Sequence, residues 1–415
     1  MNKIIKYSFI GFFGMTLFII SYELINMVSF KRHLSNGGLG IPSESHTHAL
    51  ASADPEEFIA SQKYATNKRI FSVSIDLLAN TSYIVISLLF LYLPFQKASL
   101  NLAKKRITII GQEFRDLKRI EINYLCFLGG LYAIVSLTVN ILRAKEMSIV
   151  NIISYFMIYF FIYLFIAPFV LLIVYILLTK FQKKFIFACY LAYIIKLLPD
   201  LLIHDKVDLT KMELMDINEF PEEIQNVLSK YKLENKVYKE KTPGKDLNAA
   251  LIGYGSGMRM EIYGDYKNFT SGNLYSVFLH EIGHAEEKSL LRKSIIYFTL
   301  LFLEMALILL IYERLAIKFT NSDISYFTAF LVLTFIYRIL LRQWLFALYK
   351  MGSQMSEINS DLFTIQFNYH EELANTLYNI GLKSRDYMSP TVLYNVLRST
   401  HPSLFSRIEY LTSSR

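Results

Sequence analysis

Cysteine is nearly absent from this chain: there are two in 415 residues, Cys126 and Cys189, both inside apolar runs. Two such thiols build no disulfide framework and no cysteine metal site, and they read as small buried hydrophobes. Any metal chemistry must therefore rest on histidine and carboxylate. Internal repeats and low-complexity tracts are also absent. The formal net charge is +8, yet no basic–aromatic motif accompanies it, which argues against nucleic acid as a partner. Gly253, Gly255 and Gly257 are followed by no strand–helix context, so a phosphate loop is excluded and a turn is expected.

Charge is scarce as well. Charged residues make up 19% of the chain and hydrophobic ones 53%, above the roughly 45–50% apolar content of soluble domains. The excess is gathered into long runs, as membrane spans require. Spans are expected at about 4–30, 71–95, 121–142, 150–179, 185–203, 294–312 and 324–348. The first is too long for a cleaved signal peptide and lacks a clean small-residue cleavage site, so it reads as a signal anchor. Lys and Arg flank the spans and face anionic lipid, which accounts for the positive balance. The polar stretch 31–69 holds His33, His46 and His48, which read as solvated rather than ligating. Glu23, Asp76, Glu304, Arg338 and Arg342 fall within spans. Such groups face a transport pathway or a hydrated chamber, or snorkel near a span end.

Residues 204–293 are the one extended polar region. Within it 219–232 has helical charge character, 248–263 reads as extended, and Leu274–Leu290 has helical apolar spacing. This last segment holds His280-Glu281-Ile282-Gly283-His284. Imidazoles four residues apart lie on one helix face and can give a metal ion two ligands, with Glu281 beside them to take a proton from a bound water. A catalytic zinc takes three protein ligands plus water. The third candidate is Glu357, downstream; Asp361, four residues on, shares its helix face and can fix a ligand imidazole. The string Ser399–Arg407 adds His401 and Arg407, which alone would rank as surface residues.

With these pieces in place the chain resembles the type I CAAX prenyl endopeptidases. Phe58-Ile-Ala-Ser-Gln-Lys-Tyr-Ala-Thr-Asn-Lys-Arg-Ile-Phe-Ser72 is similar to that family's N-terminal signature. Asn248-Ala249 with Gly253 and Arg259 is similar to its N-A-x-x-x-G strand. His280–His284, Glu357 with Asp361, and Ser399–Ile408 follow in the family's order. The resemblance implies one Zn²⁺ per chain held by His280, His284 and Glu357. It implies Glu281 as general base, Asp361 as hydrogen-bond partner of a ligand, and His401 and Arg407 as groups that stabilise charge on the intermediate or orient Glu357. Asn248 and Ala249 would lie on an edge strand whose backbone pairs with substrate. The implied fold is mainly α: a polytopic membrane protein whose seven or so transmembrane helices form a chamber, with a zincin-like α+β metalloprotease domain.

The expected organisation is an N-terminal membrane region, 1–203, with about five spans, and a metalloprotease domain, 204–415, that includes two more. The implied partners are the C-termini of prenylated CAAX proteins and the lipid bilayer. The implied location is the endoplasmic reticulum membrane, with the protease domain facing the cytosol. The basic stretch 96–120 would by charge alone lie in the cytosol, but the resemblance implies that this loop is lumenal and the 204–293 domain cytosolic. Three departures stand out: Ala285 where the family has Trp, Ala250 where it has an aromatic residue, and no clear I-E-x-x-x-G-F-N segment around 143–151. Two other functions remain open: a membrane quality-control zinc protease of broader specificity, and a catalytically silent membrane scaffold or transporter.

Overall fold

The structure, a computed structural model, describes residues 3–36, 55–91, 129–131, 134–139, 149–162, 166–202, 207–218, 220–242, 244, 248–253, 255–264, 270–318 and 326–413. His46, His48, the basic stretch 96–120, Cys126 and residues 143–148 lie outside the described residues, as does most of the expected third span.

The long apolar runs form helices: α1 (Lys3–Ser35), α2 (Pro55–Leu91), α3 (Ile149–Phe161), α4 (Ala167–Phe181) and α5 (Lys183–Leu202). After the polar region come α8 (Ser289–Lys318), α9 (Tyr326–Ile336), a π-helical segment (Tyr337–Leu341), α10 (Arg342–Leu345) and α11 (Ala347–Gln366), with β1–β4, α6 and α7 between the two groups. Four stretches among the described residues are long and apolar enough to cross a membrane: Ile10–Ser35, Glu56–Ile86, Ser289–Leu315 and Ala329–Gln366. Phe18, Ile25, Ile295 and Leu303 on these helices are more than half exposed. Lipid is the solvent that makes such apolar faces stable, and helices satisfy their own backbone there. The protein is a helical membrane protein.

The chain forms two compact units. One comprises residues 1–20, 71–192 and 301–345. Its largest core cluster packs Leu178 and Ile186 with Ile308, Tyr312, Phe330 and Tyr337. Glu304 is buried, and Arg342 Nε donates to its Oε1 at 2.8 Å. This pairing meets the requirement that an ionisable group within a span find a partner.

The other unit comprises residues 21–70, 193–300 and 346–415. Its four-stranded sheet runs β1 (Met212–Leu214), β2 (Val237–Glu240), β4 (Arg259–Tyr263), β3 (Asn248–Ile252) in space. β2 and β4 are parallel, and the other pairs are antiparallel. β3 is an edge strand, registered Asn248 to Tyr263 and Ile252 to Arg259. Gly253 ends it at φ +96°, where a Cβ would meet the Gly257 carbonyl oxygen at 2.5 Å. The stretch expected to be helical, 219–232, forms α6 (Glu222–Lys230), and the motif helix is α7 (Ser271–Glu286). Thr270 caps α7 by accepting from the Asn273 N–H, a contact worth about 1 kcal/mol. Met260 and Ile262 of the sheet, Leu228 of α6, and Phe278, Leu279 and Ile282 of α7 share one core.

The polar tail closes this unit as α12 (His370–Ser384), α13 (Val392–Arg398) and α14 (Leu404–Ser413). The Phe58–Ser72 signature lies on α2, and its residues tie that helix to the tail. Phe58 is fully buried and stacks on Tyr378 with centroids 5.5 Å apart. Burial of such a side chain contributes about 1.5–3 kcal/mol. Ser61 Oγ donates to the Leu382 carbonyl, and Gln62 Nε2 to that of Asp386 at 2.9 Å.

Candidate metal centre

α7 and α11 form the site by close packing. The glycine inside the motif permits it: a Cβ on Gly283 would stand 2.7 Å from Ser360 Cα and 3.1 Å from Phe363 Cβ. That approach brings Glu357, on the buried face of α11, up to the two histidines.

His280 Nε2 is 3.5 Å from Glu357 Oε2, and His284 Nε2 is 3.4 Å from Glu357 Oε1. One ligand atom from each of the three residues falls within 4.8 Å of the others. Donors about 2.0–2.1 Å from a tetrahedral ion lie roughly 3.3–3.4 Å apart along an edge, so the two observed separations suit one small cation. The outer nitrogens are already occupied. His280 Nδ1 is 2.9 Å from Asp361 Oδ1, and His284 Nδ1 is 2.8 Å from Ser360 Oγ. Each imidazole can therefore donate through Nδ1 and present a lone pair at Nε2, the tautomer a metal needs. The donor set fits a metal ion.

Arg407 sits behind these groups. Its Nε and Nη2 grip Asp361 at 2.9 and 2.7 Å, and its Nη1 is 3.5 Å from Glu357 Oε2. Arg407 and Asp361 are both buried, so this is a charge pair with each partner hydrogen-bonded. His401 Nε2 is 3.6 Å from Glu357 Oε1, while 61% of the His401 side chain stays exposed. Glu281 is partly buried, and its Oε2 accepts the Leu251 N–H at 3.0 Å.

The electrostatics separate the two histidines. Burial would lower His280, but its hydrogen bonds to Asp361 and Glu357 outweigh that and raise it to about 9. Burial and the neighbouring His280 push His284 down to about 3. Burial raises Glu281 above the usual carboxylate range, which favours a group that must pick up a proton near neutral pH.

Leu251 donates to Glu281, away from β4. By the two-residue alternation of a strand, the N–H of Ala249 points the same way, and the Asn248 side-chain oxygen accepts it at 3.0 Å. The free edge of β3 thus runs toward Glu281. Every residue singled out in the sequence for this site lies in this one unit; His280, His284, His401 and Arg407 all lie within 4 Å of Glu357, and Asp361 meets His280 and Arg407.

Among the neighbours missed in the sequence are Ser356, Ser360, Lys293 and the Leu251 N–H. Ser360 lies on α11 three residues after Glu357, but only the packing of α7 against α11 shows that it meets His284. Lys293, whose Nζ is 3.8 Å from Glu357 Oε1, lies on α8, and no spacing rule joins it to the motif.

The donor set and the two likenesses that follow together support one class, a membrane metalloendopeptidase. Residues 218–415 match the family model of Peptidase family M48. Across 95% of this chain and 98% of the other, the fold is that of the crystal structure of S. mikatae Ste24p, with a TM-score of 0.52 and 14% sequence identity. None of the curated proteins gives a significant sequence match. The likeness to type I CAAX prenyl endopeptidases carried by the sequence motifs is borne out in the peptidase domain and in the fold.

Proposed function

We propose that this protein is a zinc-dependent endopeptidase of the endoplasmic reticulum membrane that removes the C-terminal tripeptide after a prenylated cysteine. The single observation that carries the hydrolytic part is the convergence of the His280 and His284 Nε2 atoms on the Glu357 carboxylate, 3.4–3.5 Å away, with Glu281 alongside. The prenylated substrate and the cytosolic orientation rest on the likeness of Phe58–Ser72 and Ser399–Ile408 to the CAAX endopeptidases.

In this proposal His280, His284 and Glu357 hold one Zn²⁺. When bound, the ion supplies a polarised carbonyl and a water of lowered pKa. Glu281 takes the proton of the attacking water and later gives it to the leaving amine. Asp361, gripped by Arg407, holds His280 in one tautomer. His401 has an exposed ring beside Glu357, which suits it to stabilise negative charge on the tetrahedral intermediate. The substrate backbone adds to β3 along Ala249 and Leu251, with the Asn248 amide at the strand's start.

The test is release of the tripeptide from a farnesylated CAAX peptide by the detergent-purified protein, followed by mass spectrometry. Cleavage of unprenylated, misfolded membrane proteins alone would favour a quality-control protease. No cleavage of either would favour a silent scaffold or transporter.

A further inference from the structure

Glu23 lies within the first apolar stretch, Ile10–Ser35, yet it is fully buried and belongs to the unit that holds the metal centre. A carboxylate in that position is costly and needs a partner. Both of its hydrogen bonds go to one residue. Glu23 Oε2 accepts the Thr391 N–H at 2.8 Å and the Thr391 hydroxyl at 2.5 Å, while Oε1 is buried with no partner among the described residues. The same face of α1 extends the contact. Asn26, three residues on, donates through Nδ2 to the Tyr387 hydroxyl and to the Ser389 carbonyl, each at 3.0 Å. Phe30 packs edge-on against Tyr387 with centroids 5.7 Å apart. Residues 23, 26 and 30 thus lay one stripe of α1 along the strap 385–391, which joins α12 to α13.

The strap leads directly into α13. Thr391 stands at the N-cap of that helix but makes no cap with its own side chain; its hydroxyl turns to Glu23 instead. A helix of seven residues is marginal without tertiary support. α11 supplies that support at the far end: Gln354 Nε2 donates to the Asn395 carbonyl at 3.2 Å and to the Ser399 carbonyl at 3.0 Å, and Lys350 Nζ donates to the Leu397 carbonyl. Asn395 Nδ2 in turn donates to the His401 carbonyl at 2.9 Å. Gln354 lies three residues before Glu357, so one helix fixes both the carboxylate and the backbone that carries His401. α13 is therefore pinned at two ends, by α11 at the His401 end and by Glu23 at the other. A tilt of α13 about its α11 end would move His401 against Glu357, from which its Nε2 stands 3.6 Å.

We infer that Glu23 is a positioning residue for the reaction: through Thr391 it fixes α13, and through α13 it fixes the His401 imidazole beside Glu357. The inference rests on the hydrolytic reading above, in which His401 acts on the intermediate. It gives the carboxylate in the first span a use that needs neither a transport pathway nor a snorkelling end.

The test is a double-mutant cycle in full-length, zinc-loaded protein, with tripeptide release from a farnesylated CAAX peptide as the rate. Glu23→Leu is expected to lower kcat about tenfold, as for a small displacement at the site, with KM and zinc content unchanged. Glu23→Gln keeps an oxygen that can accept both Thr391 bonds and should restore most of the rate. In His401→Ala protein, Glu23→Leu should have almost no further effect, because the group it misplaces is gone. Independent losses in the two backgrounds overturn the inference, as does zinc loss in Glu23→Leu or an undiminished kcat. Thr391→Val drops the hydroxyl and keeps the N–H, and it is the milder arm if Glu23→Leu does not fold. A kcat loss that disappears in His401→Ala supports the inference there, and an unchanged kcat overturns it. Hydrogen exchange over residues 391–401 reads the same contact without turnover: it should quicken in Glu23→Leu and not in Glu23→Gln, and equal exchange in all three proteins overturns the inference. If wild-type protein cleaves no prenylated peptide but this exchange pattern holds, the hold on α13 stands and the proposed reaction fails. If cleavage occurs and the variants leave kcat unchanged, the reaction stands and the positioning role fails.

Discussion

Asp361 holds His280 Nδ1 at 2.9 Å while its two oxygens receive the Arg407 guanidinium at 2.7 and 2.9 Å. The metal face of the site is thereby set from behind, by a buried ion pair that joins α11 to α14. Replacing Asp361 with Ala removes the orienting bond and leaves Arg407 buried without its carboxylate. Zinc affinity is expected to fall about 10–100-fold, with a loss of stability of about 3–5 kcal/mol from the unpaired charge. Glu357→Ala should cost more metal, because it deletes a ligand. Metal analysis of the two purified variants checks the order; greater zinc loss in Asp361→Ala contradicts it.

Gly283→Ala tests the contact that brings the two helices together. The added methyl would meet Ser360 Cα at 2.7 Å, and overpacking of this kind costs about 1–3 kcal/mol. The expected outcome is a lower thermal midpoint together with weaker metal retention, since Glu357 rides on the helix that must move. A variant with unchanged midpoint and metal content would show that α11 tolerates the shift.

Metal uptake should depend on pH through His280. Its carboxylate partners raise it from the usual histidine range to about 9, so below that pH a cation must displace a proton. Apparent zinc affinity is expected to rise close to tenfold per pH unit between about 7 and 9 and to flatten above. His284, pushed down to about 3 by burial and by His280, is already neutral there and adds no slope. Competition with a chelator of known affinity measures the slope; a flat profile from pH 7 to 9 contradicts the assignment.

His401 and Arg407 should separate kinetically. His401→Ala leaves the buried pair intact, so it is expected to lower kcat by about 10²–10³-fold, as for loss of one oxyanion donor, with zinc retained. Arg407→Lys keeps a charge but loses the two-pronged grip on Asp361, and so should lower zinc occupancy as well as activity. Stopped activity with full zinc in Arg407→Lys would place that residue at the substrate instead.

Much of the centre was legible because it is written at helical spacing. His280 and His284, and Glu357 and Asp361, are each four residues apart, and that alone puts each pair on one face. The extended stretch 248–263 was readable from its glycines and apolar residues, and it became β3, a turn and β4. Other features depend on contacts that spacing does not encode. The value of Phe58, Ser61 and Gln62 lies in Tyr378, Leu382 and Asp386, more than 300 residues away in sequence. Ser360 was overlooked because a serine inside a helix has several common roles, and only the partner helix shows that it faces His284.

The central claim is that Glu281 drives hydrolysis at a cation held by His280, His284 and Glu357. Its most direct test is one paired measurement on wild-type and Glu281→Gln protein: zinc per chain, and the rate of tripeptide release from a farnesylated CAAX peptide. The expected result is about one zinc per chain in both proteins, as a three-ligand site requires, with release in wild type and a loss of at least about 10²-fold in the variant, as for removal of a general base. Equal rates in the two proteins, or no bound zinc in wild type, would contradict it.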